Sequence, residues 1–375
     1  MSELCSRESM KAKFFSLLFV LLTFSLLQSA KALVMDELYT VELPVSDQTT
    51  DLRLRTFEAA FELVLTKVSG SNEARKNPAI IRQGKNSSRY VKQFSYEDRP
   101  GVDVEGGAVQ LLYLKVNFDQ RLIEQLLRKH NFPVWGRERP SSLLLINSQF
   151  GDVIQIVTSD SAPKVVELLY AAALKMGVPM LLPLMDLEDI SLVDVSNVTL
   201  RDFKVINDMA IRYGPDAVVV GELVEIDSEN WAGDWEVRFT GQIFKWQYKA
   251  ATQDAVIEEL IAHLARVLAL EYALEYDQSN EQELLLKVSS MLDINHLISV
   301  RQYLRSLNVV ESVRVALISK EEVTFHLKLR NSAEDLQRLI DIGNVLEQQS
   351  LPQVNLQFDG DVVISYDFIG RGISN

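Results

Sequence analysis

Cysteine is almost absent from this chain: one in 375 residues, Cys5, which precedes its long apolar run. A body without thiols has no disulfides, no thiolate metal site and no cysteine nucleophile, so apolar burial has to hold it together. A lipoprotein-type signal needs its cysteine directly after the apolar run, and none stands there. Histidine is sparse too. His130, His263, His296 and His326 are scattered, with no pair at ligand spacing, so a zinc site is not expected. The sequence contains no zincin helix motif, nucleophile elbow, P-loop or dinucleotide glycine pattern. Catalysis therefore has no positive support, the reading is "not an enzyme", and no cofactor or metal is expected. Beyond the first 32 residues no stretch approaches the roughly 20 apolar residues that span a bilayer, so no integral membrane span is expected there.

What the chain does have begins at its first residues. Lys11 and Lys13 form a short basic stretch, Phe14 to Leu27 is an unbroken run of apolar residues, serine and threonine, and Ala30-Lys31-Ala32 follows. A basic tip, a short apolar core and small residues at a cleavage site make an export signal, with cleavage expected after Ala32. The expected address is the periplasm of a bacterial envelope.

Removing residues 1–32 removes Arg7, Lys11, Lys13, Lys31, Glu3 and Glu8, leaving 34 basic against 50 acidic residues, a net charge of minus 16. Such a surface repels phosphate backbones, because nucleic-acid affinity rests largely on lysine and arginine displacing counterions. No nucleic-acid partner is expected.

The remaining length suits two or three domains. An alternating strand at Leu38–Val45 precedes a helical stripe of Phe57, Ala60, Phe61, Val64, Leu65 and Val68, closed by Gly70. Strands at Ser88–Tyr96 and Ala108–Phe118 and a helix at Gln120–Lys129 complete a β-α-β-β-α domain over 33–135. Gly136–Ser142, charged and holding Pro140, reads as a linker.

The central α/β domain, 141–277, opens on Leu143-Leu144-Leu145-Ile146, an apolar run typical of a strand covered on both faces. Helices at Val165–Met176, Thr199–Tyr213 and Asp254–Tyr276 alternate with apolar segments at Val178–Leu184 and Asp216–Val224. Trp235–Tyr248 reads as one long half-exposed strand. This order predicts a three-layer α/β sandwich with one antiparallel edge. After a polar hinge at Gln278–Gln282, a second β-α-β-β-α domain spans 283–370, ending in a hairpin of Val354–Phe358 and Val362–Phe368. The expected fold class is thus α+β and α/β, multi-domain, with a central sandwich flanked by two small domains.

Two groups of residues are candidates for binding. Asp186, Glu188 and Asp189 lie directly after an apolar strand, where α/β sheets commonly bind ligands, and could face a cation or serve as paired carboxylates of a hydrolase. The plainer reading is a solvated loop with helix-capping acids, since calcium loops need more oxygen ligands and usually a glycine in the turn. Trp231, Trp235 and Trp246 could stack on sugar rings if exposed, but tryptophans so spaced more often pack across strands.

Several stretches carry a family likeness. Met176-Gly177-Val178-Pro179, Pro183 through Asp189, Arg212-Tyr213-Gly214 with Asp216-Ala217-Val218, Trp231 and Asp234-Trp235 resemble the exported proteins of domain-of-unknown-function family 2066, as do Val68-Ser69-Gly70 and Ser88-Arg89-Tyr90-Val91. Met176 departs from the arginine expected there. The resemblance implies a bacterial source and no catalytic residues. The middle domain, with its Gly214–Gly221 strand, is similar in element order to the amino-terminal domain of TolB, the curli-secretion lipoprotein and the outer-membrane activators of penicillin-binding proteins. That likeness implies a docking module.

The expectation that follows is a non-catalytic periplasmic scaffold or adaptor that binds an envelope protein. The alternatives are a glycan- or peptidoglycan-binding module and a hydrolase with a carboxylate site.

Overall fold

The computed structural model describes residues 37–102, 107–160, 163–193, 201–275, 282–320, 322–349 and 362–370. The expected signal (1–32), the polar residues 278–281 and the strand and turn expected over 354–361 lie outside them.

The first domain runs β1 (Thr40–Val45), α1 (Thr50–Ser69), two short helices α2 (Glu73–Lys76) and α3 (Pro78–Gly84), β2 (Val91–Val102), β3 (Ala108–Phe118) and α4 (Gln120–Lys129). Its sheet is antiparallel, in the order β1-β3-β2. The apolar stripe of α1 is buried against it, and the helix stops where Gly70 takes a left-handed φ of 68° and returns its N–H to the Thr66 carbonyl. Asp119 caps α4 by accepting from the Leu122 N–H, which starts that helix directly after β3.

The central domain comprises β4 (Ser142–Phe150), β5 (Val153–Ile156), α5 (Pro163–Met176), β6 (Met180–Leu181), α6 (Leu187–Leu192), α7 (Phe203–Tyr213), β7 (Ala217–Asp227), β8 (Asn230–Phe239), β9 (Gln242–Ala250) and α8 (Gln253–Tyr272). Its sheet follows the order β5-β4-β7-β8-β9, with β6 also beside β4. Successive side chains of β4 and β7 point to opposite faces, which explains their continuous apolar runs. Leu144, Ile146, Ala217 and Val219 join α5 and α8 in one core, while Leu143, Leu145, Val218 and Val220 join Val193, Ile206 and Met209 in the other.

Two expectations need correcting here. Antiparallel strands occupy both edges of the sheet, because β5 turns back on β4 as β8 and β9 do beyond β7. The long strand expected over Trp235–Tyr248 is two strands, folded at Thr240-Gly241 with φ of 47° and 75°. Positive φ at both turn residues is the hairpin geometry that matches strand twist, but threonine rarely adopts it and so hides the signal.

The third domain runs β10 (Gln282–Ser289), α9 (Ile294–Ser306), β11 (Val310–Ile318), β12 (Glu322–Leu329), α10 (Ala333–Ile342), β13 (Leu346–Gln348) and β14 (Val362–Phe368). Its sheet has the order β11-β12-β10-β14-β13. Among the described residues β14 pairs in parallel with β10 and antiparallel with β13. The first three strands, β10-β12-β11, repeat the antiparallel order of β1-β3-β2. Both end domains therefore share one plan, in which the first strand lies beside the third.

Candidate functional site

The acidic loop after β6 is bonded to itself. Asp186 caps α6 by accepting from the Glu188 and Asp189 N–H groups, each at 3.1 Å. Arg212, in the last turn of α7, donates through Nη2 to Asp186 Oδ2 at 2.5 Å, forms an ion pair with Asp189, and lies 3.6 Å from Glu188. Asp189 is fully buried, and its Oδ2 accepts from the Tyr213 hydroxyl at 2.6 Å and from the Met185 N–H at 2.8 Å. Hydrogen bonds from Arg212 hold the Asp186 carboxyl well below the usual range. Burial and the bond to Asp189 push the Tyr213 hydroxyl up to about 12.

These carboxylates thus face an arginine in place of a cation site. Among the described residues, no group of three histidine, cysteine, aspartate or glutamate side chains is gathered to hold a metal ion. A hydrolytic pair needs one carboxyl with raised proton affinity, whereas Asp186 and Asp189 both bond to Arg212, and that cation holds the Asp186 carboxyl low.

The three tryptophans lie on one face of the β8–β9 hairpin, since Trp231 and Trp235 are an even number of residues apart and Trp246 sits directly across from Trp235. That face is covered by α8. Trp235 is completely buried, its indole lying so flat on the sheet that a Cβ added at Gly221 or Gly233 would come within 2.3 or 2.4 Å of it. Trp231 meets Phe150 edge-on at 5.5 Å. Trp246 stacks on His263 at 4.0 Å. Stacking on a sugar requires an open ring face, and the structure brings these rings together as packing.

Two features escaped the sequence reading. The first is the segment marked as a linker, which is a buried junction where all three domains meet. Val134 and Leu274 exchange backbone hydrogen bonds of 2.9 and 3.0 Å, the Trp135 N–H donates to Val68 O at 2.7 Å, and Asn308 Nδ2 donates to Val134 O at 2.7 Å. Arg139, 1% exposed, lies at its centre. Its Nη1 donates to Gly177 O at 2.7 Å, its Nη2 to Lys67 O and Trp135 O at 2.7 and 2.9 Å, and its Nε to Gly136 O at 2.9 Å. The guanidinium stacks 3.9 Å above the Trp135 ring.

Lys67 lies in the last turn of α1, and Gly177 follows the end of α5. One arginine thereby satisfies carbonyls left open at the ends of helices from two domains, where the dipole favours a cation. Burial lowers the Arg139 pKa to about 9, which leaves it charged at neutral pH. The Lys67 ammonium donates to Thr40 O at 2.9 Å, and burial together with Arg139 lowers its pKa to about 8. On the far side, a Cβ at Gly136 would lie 3.0 Å from the Asn308 side chain and one at Gly343 would lie 3.3 Å from Glu138, so the third domain also packs closely against the segment.

The second feature is a cleft of about 890 Å³ between the first and third domains. Gln120, Arg121 and Glu124 of α4 form one wall, Arg301 and Arg305 of α9 and the β11 residues 310–315 the other, and Arg330 also lines the cleft. Arg301 and Arg305 are one helical turn apart, so their shared face was readable. Their convergence with Arg121 and Arg314 was not, because it depends on how the domains are joined.

None of the curated proteins matches the chain. Among solved structures it is similar to the prolyl-tRNA synthetase from Cryptosporidium parvum complexed with L-proline and AMP, at 8% identity and a TM-score of 0.17, covering 62% of this chain. The chain spans 50% of the length of that structure, and a TM-score so low carries no argument about fold or function. The resemblance to family 2066 is overturned, and the likeness to TolB and the curli lipoprotein finds no support. The stretch that suggested the TolB and curli likeness, a helix, a glycine and an apolar strand, is what any buried strand of an α/β sheet requires, so it does not discriminate families. The family that residues 32–136 do match is described as Domain of unknown function (DUF8605).

Proposed function

We propose that this chain is a non-catalytic adaptor or scaffold of a bacterial cell envelope, exported by its first 32 residues and binding another envelope protein in the periplasm. The observation that carries this reading is the junction around Arg139, which holds three small domains in one arrangement through buried backbone contacts. A fixed arrangement of domains is what a scaffold offers its partners, since preorganised surfaces lose less entropy on binding. The acidic loop supports the same reading, because Arg212 and Tyr213 already occupy its carboxylates. The start of the matched family region at residue 32, beside the expected cleavage point, supports export.

In-cell crosslinking followed by mass spectrometry and fractionation tests this proposal. The expected result is an amino terminus after Ala32, periplasmic fractionation and crosslinks to at least one envelope protein. A native chain that begins at Met1 or Met10 and fractionates with cytosolic markers overturns it.

A further inference from the structure

We infer that the cleft between the first and third domains is a docking site for an extended acidic peptide segment, which pairs with the free edge of β11 and sets its carboxylates against Arg301, Arg305 and Arg314. Assigning that segment to an envelope protein rests on the adaptor reading above.

The charge of the cleft runs against the charge of the chain. The whole sequence carries a net charge of minus 14, yet five arginines line this cavity against two glutamates. Both glutamates are engaged: Glu124 with Arg128, Tyr39 and Gln120, and Glu311 with Lys328. Arg330 donates to the carbonyls of Asn308 and Val310. The side chains of Arg301, Arg305 and Arg314 have no ion pair or hydrogen bond among the described residues. Like charges one helical turn apart repel, and a guanidinium presents a planar fork suited to a carboxylate.

The second observation is the strand that forms the wall. Among the described residues β11 is the outer strand of its sheet, and one row of its N–H and C=O groups has no strand partner there. Bulges after Val310 and Val315 bound a regular stretch, Ser312–Val315, over which an added strand can pair. Val315 is 38% and Leu317 61% exposed, which gives apolar contact beside the charges. A cavity of about 890 Å³ suits a run of several residues, whereas a single small anion would leave most of it to water.

The test is fluorescence anisotropy of the purified full chain with a fluorescein-labelled peptide of alternating glutamate and valine. Binding is expected, weakening with added salt and falling about tenfold or more in Arg301→Glu/Arg305→Glu. A similar loss is expected when alternate amides of the peptide are N-methylated, which blocks strand pairing. Both arginines are exposed and unpaired, so an unchanged thermal unfolding curve for the variant shows that folding is intact. Equal binding of a lysine–valine peptide, or unchanged binding by the variant or by the N-methylated peptide, overturns the inference. So does retention on anionic phospholipid vesicles without peptide binding. Failure of the peptide while envelope crosslinks persist sinks the cleft and spares the adaptor. Peptide binding by a chain that fractionates with the cytosol does the reverse.

Discussion

Arg139 and Lys67 meet back to front: the guanidinium Nη2 takes the Lys67 carbonyl at 2.7 Å, while the ammonium of that same lysine reaches away to Thr40 O at 2.9 Å. Two cations thus share one buried junction with no carboxylate among the described residues bonded to either. Arg139→Met removes the donor for carbonyls at two helix ends and is expected to destabilise the chain by about 3 to 5 kcal/mol in urea unfolding. Arg139→Lys should recover little of this, since one ammonium cannot span both helix ends. A loss below about 1 kcal/mol refutes the role.

Lys67 makes stability depend on pH with a definite sign. Its folded pKa of about 8 lies below the usual value of about 10.4, so between these limits the unfolded chain binds more protons than the folded one. Its contribution is therefore fully present above the unfolded value and is lost as the pH falls through about 8. Relative to Lys67→Met, the native chain should gain roughly 1 to 3 kcal/mol between pH 7 and pH 10 in parallel denaturation curves. A pH-independent difference between the two proteins would contradict the assignment.

Gly221 lies directly across from Trp235, under its ring. Gly221→Ala forces the indole out of its place and is expected to cost about 1 to 3 kcal/mol. Near-ultraviolet circular dichroism should change with it, because the signal reports the fixed ring. An alanine accepted without either effect would mean that the ring is mobile.

Arg212 holds the acidic loop. Arg212→Ala leaves the fully buried Asp189 without its cation and should destabilise by about 3 kcal/mol, with Asp189→Asn in the same chain restoring part of the loss. Asp186, held ionised by Arg212, contributes stability above the ordinary carboxylate range that is lost as the pH falls below it. The acid limb of the unfolding profile should therefore flatten in the variant, and an unchanged limb would count against the pairing.

Most helices were legible because periodic apolar faces and capping residues are local. Phe57 to Val68 repeats at helical spacing up to Gly70, and the third-domain helix α10 starts at a Ser332–Asp335 capping box. The Thr240-Gly241 turn was hidden by a residue that rarely tolerates its backbone geometry. The surroundings of the binding candidates were hidden for a different reason. Whether Asp189 faces a cation or Arg212, and whether Trp235 faces a sugar or α8, depends on partners far away in the chain. Pro140 and the charges around it suggested a solvated tether, because a fully buried arginine cannot be told from an exposed one by type. The cleft was equally invisible, since its walls are more than 170 residues apart.

The clasp at the centre of the molecule is made with acceptors that never titrate. Carbonyl oxygens keep their partial charge from acid to alkali, and a grip walled off from water feels little of the surrounding electrolyte. Below about pH 8, where Arg139 and Lys67 keep their protons, swings in acidity or brine that would unlatch a hinge closed by aspartate and lysine should leave the angle between the first and middle domains where it was.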